Sequence, residues 1–487
     1  MRRINNTTFM GGIFGVISTK QCKNDLFYGV DYHSHLGTRR GGMAVYNGNG
    51  IFARDIHSLE NSYFRVKFED DLYKYTGNLG IGVISDTDAQ PIVVNSHLRR
   101  FAIVTVGKIC NIADLEKEML SQNKIFTELS SGKTNPTELI AQIITCSPSF
   151  EEGIKSVQQK VKGSCSFVLL TENCLIACRD LYGRTPLIIG KKDTEEDGER
   201  VKAHAVASET CSFPNLGYKD EYILGPGEAV RITADSLEQI VKPGKKMQIC
   251  SFLWIYYGYP ASSYEGINVD EVRYRLGYKL AKEDDSEMDT VCSIPDSGTC
   301  MAIGYSDGKG VPFRNGYVKY TPTWPRSFTP TSQDRRNLVA KMKLIPNGDI
   351  LHNHRPVFCD DSIVRGTQLR NNVRNLYEYG AKEVHVRISC PPLVYPCEFI
   401  NFSESRTPLE LVCRRFIQQK EGAHDRNLGR YVRNDTAEYA EMVEYIRKEV
   451  NVASLKFNTL ENLVSSIGLP KEMICTHCFD GSSYGHE

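Results

Sequence analysis

Arg355-Pro-Val-Phe-Cys-Asp-Asp-Ser-Ile-Val-Arg-Gly-Thr-Gln-Leu369 is the stretch from which the rest of the chain is read. Val357 and Phe358 are strand formers, and the strand runs out at Asp360 and Asp361. Ser362 to Gln368 are mostly small or polar and hold one glycine, Gly366. Leu369, Val373, Leu376 and Tyr377 then recur at helical spacing, and Gly380 fits a helix stop. Glu383-Val-His-Val-Arg-Ile388 reads as the next strand. Such a β-turn-α-β unit binds ligands at the carboxyl end of its strand. The turn and the helix start offer N–H groups and the positive end of a dipole to a phosphate. The two carboxylates suit ribose hydroxyls or a magnesium ion instead. A sugar phosphate accounts for both halves. A bare Asp-Asp before a turn is as readily a cap, so the full string carries the reading.

That string resembles the phosphoribosyl-pyrophosphate (PRPP) loop of type I phosphoribosyltransferases. Among them it is most similar to the loop of the amidophosphoribosyltransferases, from Asp360 to Thr367. Gln368 stands where that family usually has a second threonine. The resemblance implies that Asp360 and Asp361 bind Mg–PRPP through its ribose hydroxyls. It implies that Ser362, Ile363, Val364, Arg365, Gly366 and Thr367, with Gln368, hold the 5-phosphate.

At 487 residues the chain is long enough for two domains. Its 59 basic and 59 acidic residues balance, which gives no electrostatic reason to expect nucleic acid or an anionic membrane. No apolar run approaches the roughly 20 residues that span a bilayer. The basic start, Met1 to Met10, precedes only a short, glycine-rich apolar run from Gly11 to Ile17, so no signal peptide is expected. A cytoplasmic enzyme is the expectation. Sixteen cysteines in such a chain point to small core residues, as Cys165 and Cys359 in apolar strands, before a disulfide framework. Cys475-Thr-His-Cys478 alone has close metal-ligand spacing, and reads equally as a redox pair, half a metal site, or chance.

Residues 11–245 read as alternating short strands and helices, rich in β patterns. Gly12 to Ile17, Ala102 to Val106 and Ser166 to Leu170 are expected strands. Arg179 to Leu187 reads as a polar turn leading into a strand, Gly225 to Glu228 as a tight turn, and Lys191 to Lys202 as a solvated loop. The order of pieces resembles the N-terminal-nucleophile (Ntn) glutaminase domain of the same family. Arg179, Asp180, Tyr182, Gly183 and Pro186 fit its Arg-Asp-x-x-Gly-x-x-Pro-Leu element, and Ser208-Glu209 and Pro226-Gly227-Glu228 fit two later ones.

The positions that carry the family's chemistry do not fit. There a cysteine exposed by propeptide cleavage attacks the glutamine amide, with its own α-amine as base. Here that position is Gly11, preceded by a propeptide-like segment, residues 1–10. The Gly-His-x-Arg-Tyr element, whose arginine holds the glutamine carboxylate, is replaced by Gly82 to Asp86 leading into Ala89-Gln90-Pro91. The oxyanion-hole element keeps only its glycine in Thr105-Val106-Gly107-Lys108, and the element that anchors the substrate amine is Asn135-Pro136-Thr137-Glu138. Thr7 or Thr8 as a substitute nucleophile lies several residues before the strand that must hold it. The expectation is a domain that keeps its fold without glutamine hydrolysis.

From 246 strands alternate with longer helices, as in a parallel-sheet domain expected over 246–440, with a C-terminal segment over 441–487. Gly266 to Gly277 matches a helix entry of the family. Asp289 to Ile294 is an expected strand ending in Pro295-Asp-Ser-Gly-Thr299, a turn whose amides can hold a second phosphate. The resemblance makes Asp296, Ser297 and Gly298 the pyrophosphate loop and Ser297, with Asp360 and Asp361, a magnesium contact. Lys319, Arg326 and Lys343 are candidate cations for the departing pyrophosphate, Lys319 and Arg326 in a lid whose middle, with Pro322, Trp324 and Pro325, differs from the family's. Some members of the family carry a [4Fe–4S] cluster, and Cys250, Cys397, Cys475 and Cys478 fall at its four ligand positions, with structural zinc as the alternative.

The resemblance therefore implies an α+β Ntn-hydrolase-like αββα sandwich followed by an α/β type I phosphoribosyltransferase domain. It implies a glycosyltransferase-class enzyme of purine biosynthesis that forms 5-phosphoribosylamine from Mg–PRPP, and the glycine at position 11 beside an intact PRPP loop makes ammonia or another amine the expected nitrogen donor. A homo-oligomer with purine nucleotides as effectors goes with that reading. The alternatives are a non-catalytic regulatory protein that binds PRPP or purine nucleotides, and a salvage-type transferase acting on a base.

Overall fold

The computed structural model describes residues 11–484 except 87, 131, 197, 321–342 and 401–406. Two antiparallel sheets build the first half. Seven strands run in the order Lys219–Ile223, Ile188–Glu196, Glu199–Ala207, Gly12–Ser18, Leu79–Ser85, Arg40–Tyr46 and Phe52–Ser58. Six run in the order Leu237–Val241, Ala229–Ile232, Leu175–Cys178, Gly163–Leu170, Arg99–Ile109 and Ile92–Ser96.

Side chains alternate along each strand, so every inner strand must bury two faces. Ile13, Ile81 and Val83 meet Val104, Val168 and Leu170 between the sheets. Phe14 and Val16 point the other way, onto Leu26 and Val30 of the helix Lys23–Asp31. On the far side Phe101 and Phe167 are covered by Leu139 and Ile154 of the helices Pro136–Ile144 and Phe150–Lys160. This is the αββα sandwich. Continuous burial of Gly12–Ser18 follows from its central place in it.

One local expectation is corrected and another is met. Lys191 to Lys202 is no loop: it is the outer part of a hairpin in register from Ile188↔Ala207 to Glu196↔Glu199. Val201 and Ala203 are buried and hold one strand down, while the charged side chains mark where the pair projects into solvent. Arg179 to Leu187 is the expected turn leading into the strand Ile188–Glu196, and most of it is buried. Its Asp180 carboxylate accepts from the N–H of Arg184 at 3.1 Å and of Thr185 at 2.8 Å.

The second half is a parallel sheet in the order Thr290–Ser293, Pro356–Asp360, His385–Ile388 and Ser454–Phe457. Helices Val269–Lys282 and Thr299–Lys309 bring Leu280, Met301 and Tyr305 to one face, against Val291, Val357 and Cys359. Helices Thr367–Glu378 and Ala437–Val450 bring Leu369, Val373, Met442 and Ile446 into the core with Phe358 and Val386. The chain has no break at 440, because the helix Ala437–Val450 runs through it and Ser454–Phe457 completes the sheet. The tail returns to the junction between the halves, where Ile474–Cys475 pairs in parallel with Ile249–Cys250.

Glu209 sits at that junction with no exposed surface. Its carboxylate accepts from Tyr264 at 2.7 Å and Ser262 at 2.9 Å in the second half, and pairs with His35 at 3.1 Å in the first. Arg179, equally buried, pairs with Glu265 at 2.7 Å. Among the described residues, no helix is long and apolar enough to cross a membrane.

Candidate active site

Two turns meet at the carboxyl ends of neighbouring strands. Thr290–Ser293 leads into Pro295 to Gly298, and Pro356–Asp360 leads into Asp361 to Gly366. They touch backbone to backbone: a Cβ on Gly298 would lie 2.2 Å from the carbonyl oxygen of Cys359. Only glycine allows that approach, and it brings Ser297 to the acidic pair. Ser297 Oγ donates to Asp361 Oδ2 at 2.5 Å, Ser362 Oγ donates to Oδ1 at 2.6 Å, and the Asp361 N–H donates to Asp360 Oδ1 at 2.9 Å. Lys319 forms an ion pair with Asp296.

Burial pushes the Asp360 carboxyl well above the usual carboxylate range, and the charge of Asp361 adds to the effect. Burial raises Asp361 as well, against the hydroxyls of Ser297 and Ser362. Two carboxylates so close in a low-dielectric pocket resist double ionisation. Hydroxyl donors or a divalent cation would relieve that. Gly366 then enters the left-handed region and caps the helix Thr367–Glu378 without a side-chain hydrogen bond. The first N–H groups of a helix have no intrahelical partners, so this start can receive an anion.

Asp296, Ser297, Gly298, Lys319, Asp360, Asp361 and the loop from Ser362 to Thr367 therefore converge on one place. Lys343 is near it through its backbone, whose carbonyl accepts from the Tyr320 N–H at 2.9 Å. Arg326 lies outside the described residues, as do Thr7 and Thr8. Arg415, which the sequence did not single out, donates to the Arg365 carbonyl at 2.8 Å. Nothing in Cys413-Arg-Arg-Phe416 separates it from an ordinary helical arginine.

The first half has a second constellation where an amide-hydrolysing site would stand. Gly11 is buried at φ +83°, and a Cβ there would meet the Ile84 carbonyl oxygen at 2.9 Å and Val106 Cγ1 at 3.2 Å. Asp88, Gln90, Thr105 and Thr137 form one hydrogen-bonded group. Thr137 Oγ1 donates to Asp88 Oδ2 at 2.5 Å and shares a 2.7 Å bond with Thr105 Oγ1. The Gln90 amide is held by the Thr105 N–H at 2.7 Å and carbonyl at 3.0 Å. Asn135 is an N-cap, accepting from the N–H groups of Thr137 and Glu138. Asp86 accepts from the N–H groups of Thr38 at 2.6 Å and Arg39 at 2.7 Å, and burial raises its carboxyl to about 6.

Cys250, Cys397, Cys475 and Cys478 line one small buried cavity with Arg184 and Phe399. Burial pushes the Cys250 thiol well up and the Cys475 thiol to about 11, the latter eased by the Arg184 guanidinium. A hydrogen bond with Cys397, then burial, pushes Cys478 up. Four soft donors facing one cavity suit a thiolate-bound group in their chemistry. Among the described residues, no set of three or more His, Cys, Asp or Glu side chains is arranged to hold a single metal ion.

Residues 78–212 match the family described as a glutamine amidotransferase domain. The chain is 30% identical to an amidophosphoribosyltransferase of Bacillus subtilis, over 96% of this chain and 93% of that one. It is 29% identical to an amidophosphoribosyltransferase of Methanocaldococcus jannaschii, over 97% of each. Among solved structures it superposes on the glutamine PRPP amidotransferase of B. subtilis complexed with ADP and GMP, with a TM-score of 0.81 and 29% identity over 97% of both chains. A structure described as the allosteric regulatory enzyme of purine biosynthesis matches with a TM-score of 0.80 over 97% of this chain and 96% of the other.

Proposed function

The chain belongs to the amidophosphoribosyltransferase family of purine biosynthesis, and on that premise we propose that it acts on Mg–PRPP with ammonia, not glutamine, as the nitrogen donor. The nitrogen lone pair attacks C1 of the ribose, the C1–O bond breaks, and pyrophosphate leaves with its electron pair. The added nitrogen gives up a proton to water, and the product is 5-phosphoribosylamine. Asp360 and Asp361 receive the ribose hydroxyls. The loop N–H groups and the helix start at Thr367 hold the 5-phosphate, and the Asp296–Gly298 turn faces the pyrophosphate. Lys319, with Arg326 and Lys343, offsets negative charge on the leaving group. Magnesium, when bound by Ser297, Asp360 and Asp361, would neutralise part of that charge.

The observation that carries this reading is the contact of Ser297 with Asp361 across the two adjoining turns. Calorimetric titration with PRPP in magnesium buffer tests it. Asp361→Asn is expected to weaken binding by about tenfold or more, the scale of a lost charge-assisted hydrogen bond. Undiminished binding would overturn the assignment. The absence of glutaminase activity is supported by the blocked Cβ direction at Gly11 and by the satisfied network of Asp88, Gln90, Thr105 and Thr137.

The second reading, a non-catalytic protein that binds PRPP or purine nucleotides, rests on the rewritten lid between Lys319 and Phe328. PRPP binding without ammonium-dependent turnover would favour it. For the four cysteines the proposal is a [4Fe–4S] cluster, with zinc second. Anaerobically purified protein is expected to contain iron and sulfide with broad visible absorbance, and zinc in their place would reverse the order.

A further inference from the structure

The loop from Asp361 to Gly366 has two faces, and only one has been assigned a task. The other rests on the turn Pro408–Glu410 and the start of the helix Val412–Glu421. The Val412 N–H donates to the Val364 carbonyl at 2.9 Å. Half-buried Arg415 donates one guanidinium nitrogen to the Arg365 carbonyl at 2.8 Å and the other to the Glu410 carbonyl at 3.3 Å. The Arg365 side chain is paired with the Glu410 carboxylate. Two consecutive loop carbonyls are thus drawn toward one helix, and the one charged side chain of the loop's phosphate-holding half toward the turn that precedes it.

A trans peptide is planar, and its N–H points opposite to its C=O. Neither peptide here is cis. Fixing the Val364 and Arg365 carbonyls toward Val412 and Arg415 therefore turns the N–H groups of Arg365 and Gly366 away from that helix. Those two N–H groups lead directly into the first turn of Thr367–Glu378, whose N–H groups extend the same donor set. Without the guanidinium the Arg365 carbonyl loses its bond to Arg415, and rotation of the Arg365–Gly366 peptide about its flanking bonds would misdirect the donors.

We propose that Arg415 is a positioning residue for the 5-phosphate cradle. It holds the Arg365–Gly366 peptide so that the loop presents its N–H groups to the phosphate of a phosphorylated ribose, without touching that ligand. This rests on the PRPP reading of the loop. It predicts selectivity within the site, because the pyrophosphate turn at Asp296 to Gly298 hangs on a different strand, Thr290–Ser293.

Titration of the full chain with two probes, ribose 5-phosphate and magnesium pyrophosphate, separates the possibilities. Arg415→Ala is expected to raise the Kd for ribose 5-phosphate by about tenfold, while the Kd for magnesium pyrophosphate stays within about twofold. Arg415→Lys, which replaces a two-pronged donor by a single ammonium, is expected to fall between. Unchanged ribose 5-phosphate binding in Arg415→Ala would overturn the proposal. A parallel loss of both probes would also overturn it, since that marks a general loss of fold. Wild-type protein that binds neither probe would bring down the PRPP reading itself, and this inference with it.

Discussion

At the residue scale, Gly11 separates two histories of the first half. A surface glycine could be exchanged for cysteine at little cost, and the nucleophile restored. Gly11 is buried in the left-handed region, with a carbonyl oxygen and a valine methyl in the path of any Cβ. A non-glycine residue in that conformation costs roughly 1–2 kcal/mol before the contacts are counted. Gly11→Cys is therefore expected to yield no glutamate from glutamine and to melt lower by at least about 2–4 °C per kcal/mol lost. Glutamate release above background, with an unchanged melting temperature, would show that the site is merely missing its thiol. Asp360 and Asp361 could be read from the sequence because a strand end, two acids and a turn occupy consecutive positions. Arg415 could not, since its partner carbonyl lies 50 residues away and a backbone acceptor leaves no mark on side-chain pattern.

At the element scale, the junction between the halves is built of groups that acid would charge or neutralise. His33 lies beneath Glu209, and burial holds its imidazole down to about 4, against the pull of the Glu209 charge. Burial alone would raise Glu209, but the charge and hydrogen bond of His35, then His33 and Tyr264, bring it to about 2. Both groups bind fewer protons folded than unfolded. The His33 contribution is whole above its unfolded value near 6.5 and is lost as pH falls toward about 4; the Glu209 contribution is whole above about 4.5 and is lost toward about 2. Melting temperature is thus expected to fall as pH drops from about 6.5, and Glu209→Gln should flatten the part of that slope below about 4.5. An identical slope in the variant would refute the assignment. Strands and helices were legible where apolar period and turn residues agreed, as in Gly12–Ser18 and Thr367–Glu378. The hairpin around Lys191 to Lys202 was not, because its charge reports exposure and its ladder is made by backbone atoms. The burial of Arg179 and Asp180 was hidden for a related reason: Arg179 donates to the carbonyls of Leu224 and Gly183, and Asp180 accepts from the N–H groups of Arg184 and Thr185, backbone partners that leave no mark on the side-chain pattern.

At the scale of the whole molecule, one chain carries two sites in different condition. The first half keeps its two packed sheets while its pocket residues bond to each other. The second half keeps two turns aimed at one volume, and the tail is tied back to the junction through Cys475 beside Cys250. The order of the two halves was legible from sequence resemblance along nearly the entire chain. In the first half only the missing residues were legible; which neighbours bond to each other there was not, Thr137 to Asp88 and Thr105 to Gln90. A protein so built should transfer nitrogen from solution without liberating it from an amide. Pyrophosphate release from Mg–PRPP, measured side by side with ammonium and with glutamine at equal concentration, tests this most directly. Release with ammonium and none above background with glutamine is the predicted result. Release driven by glutamine would contradict it.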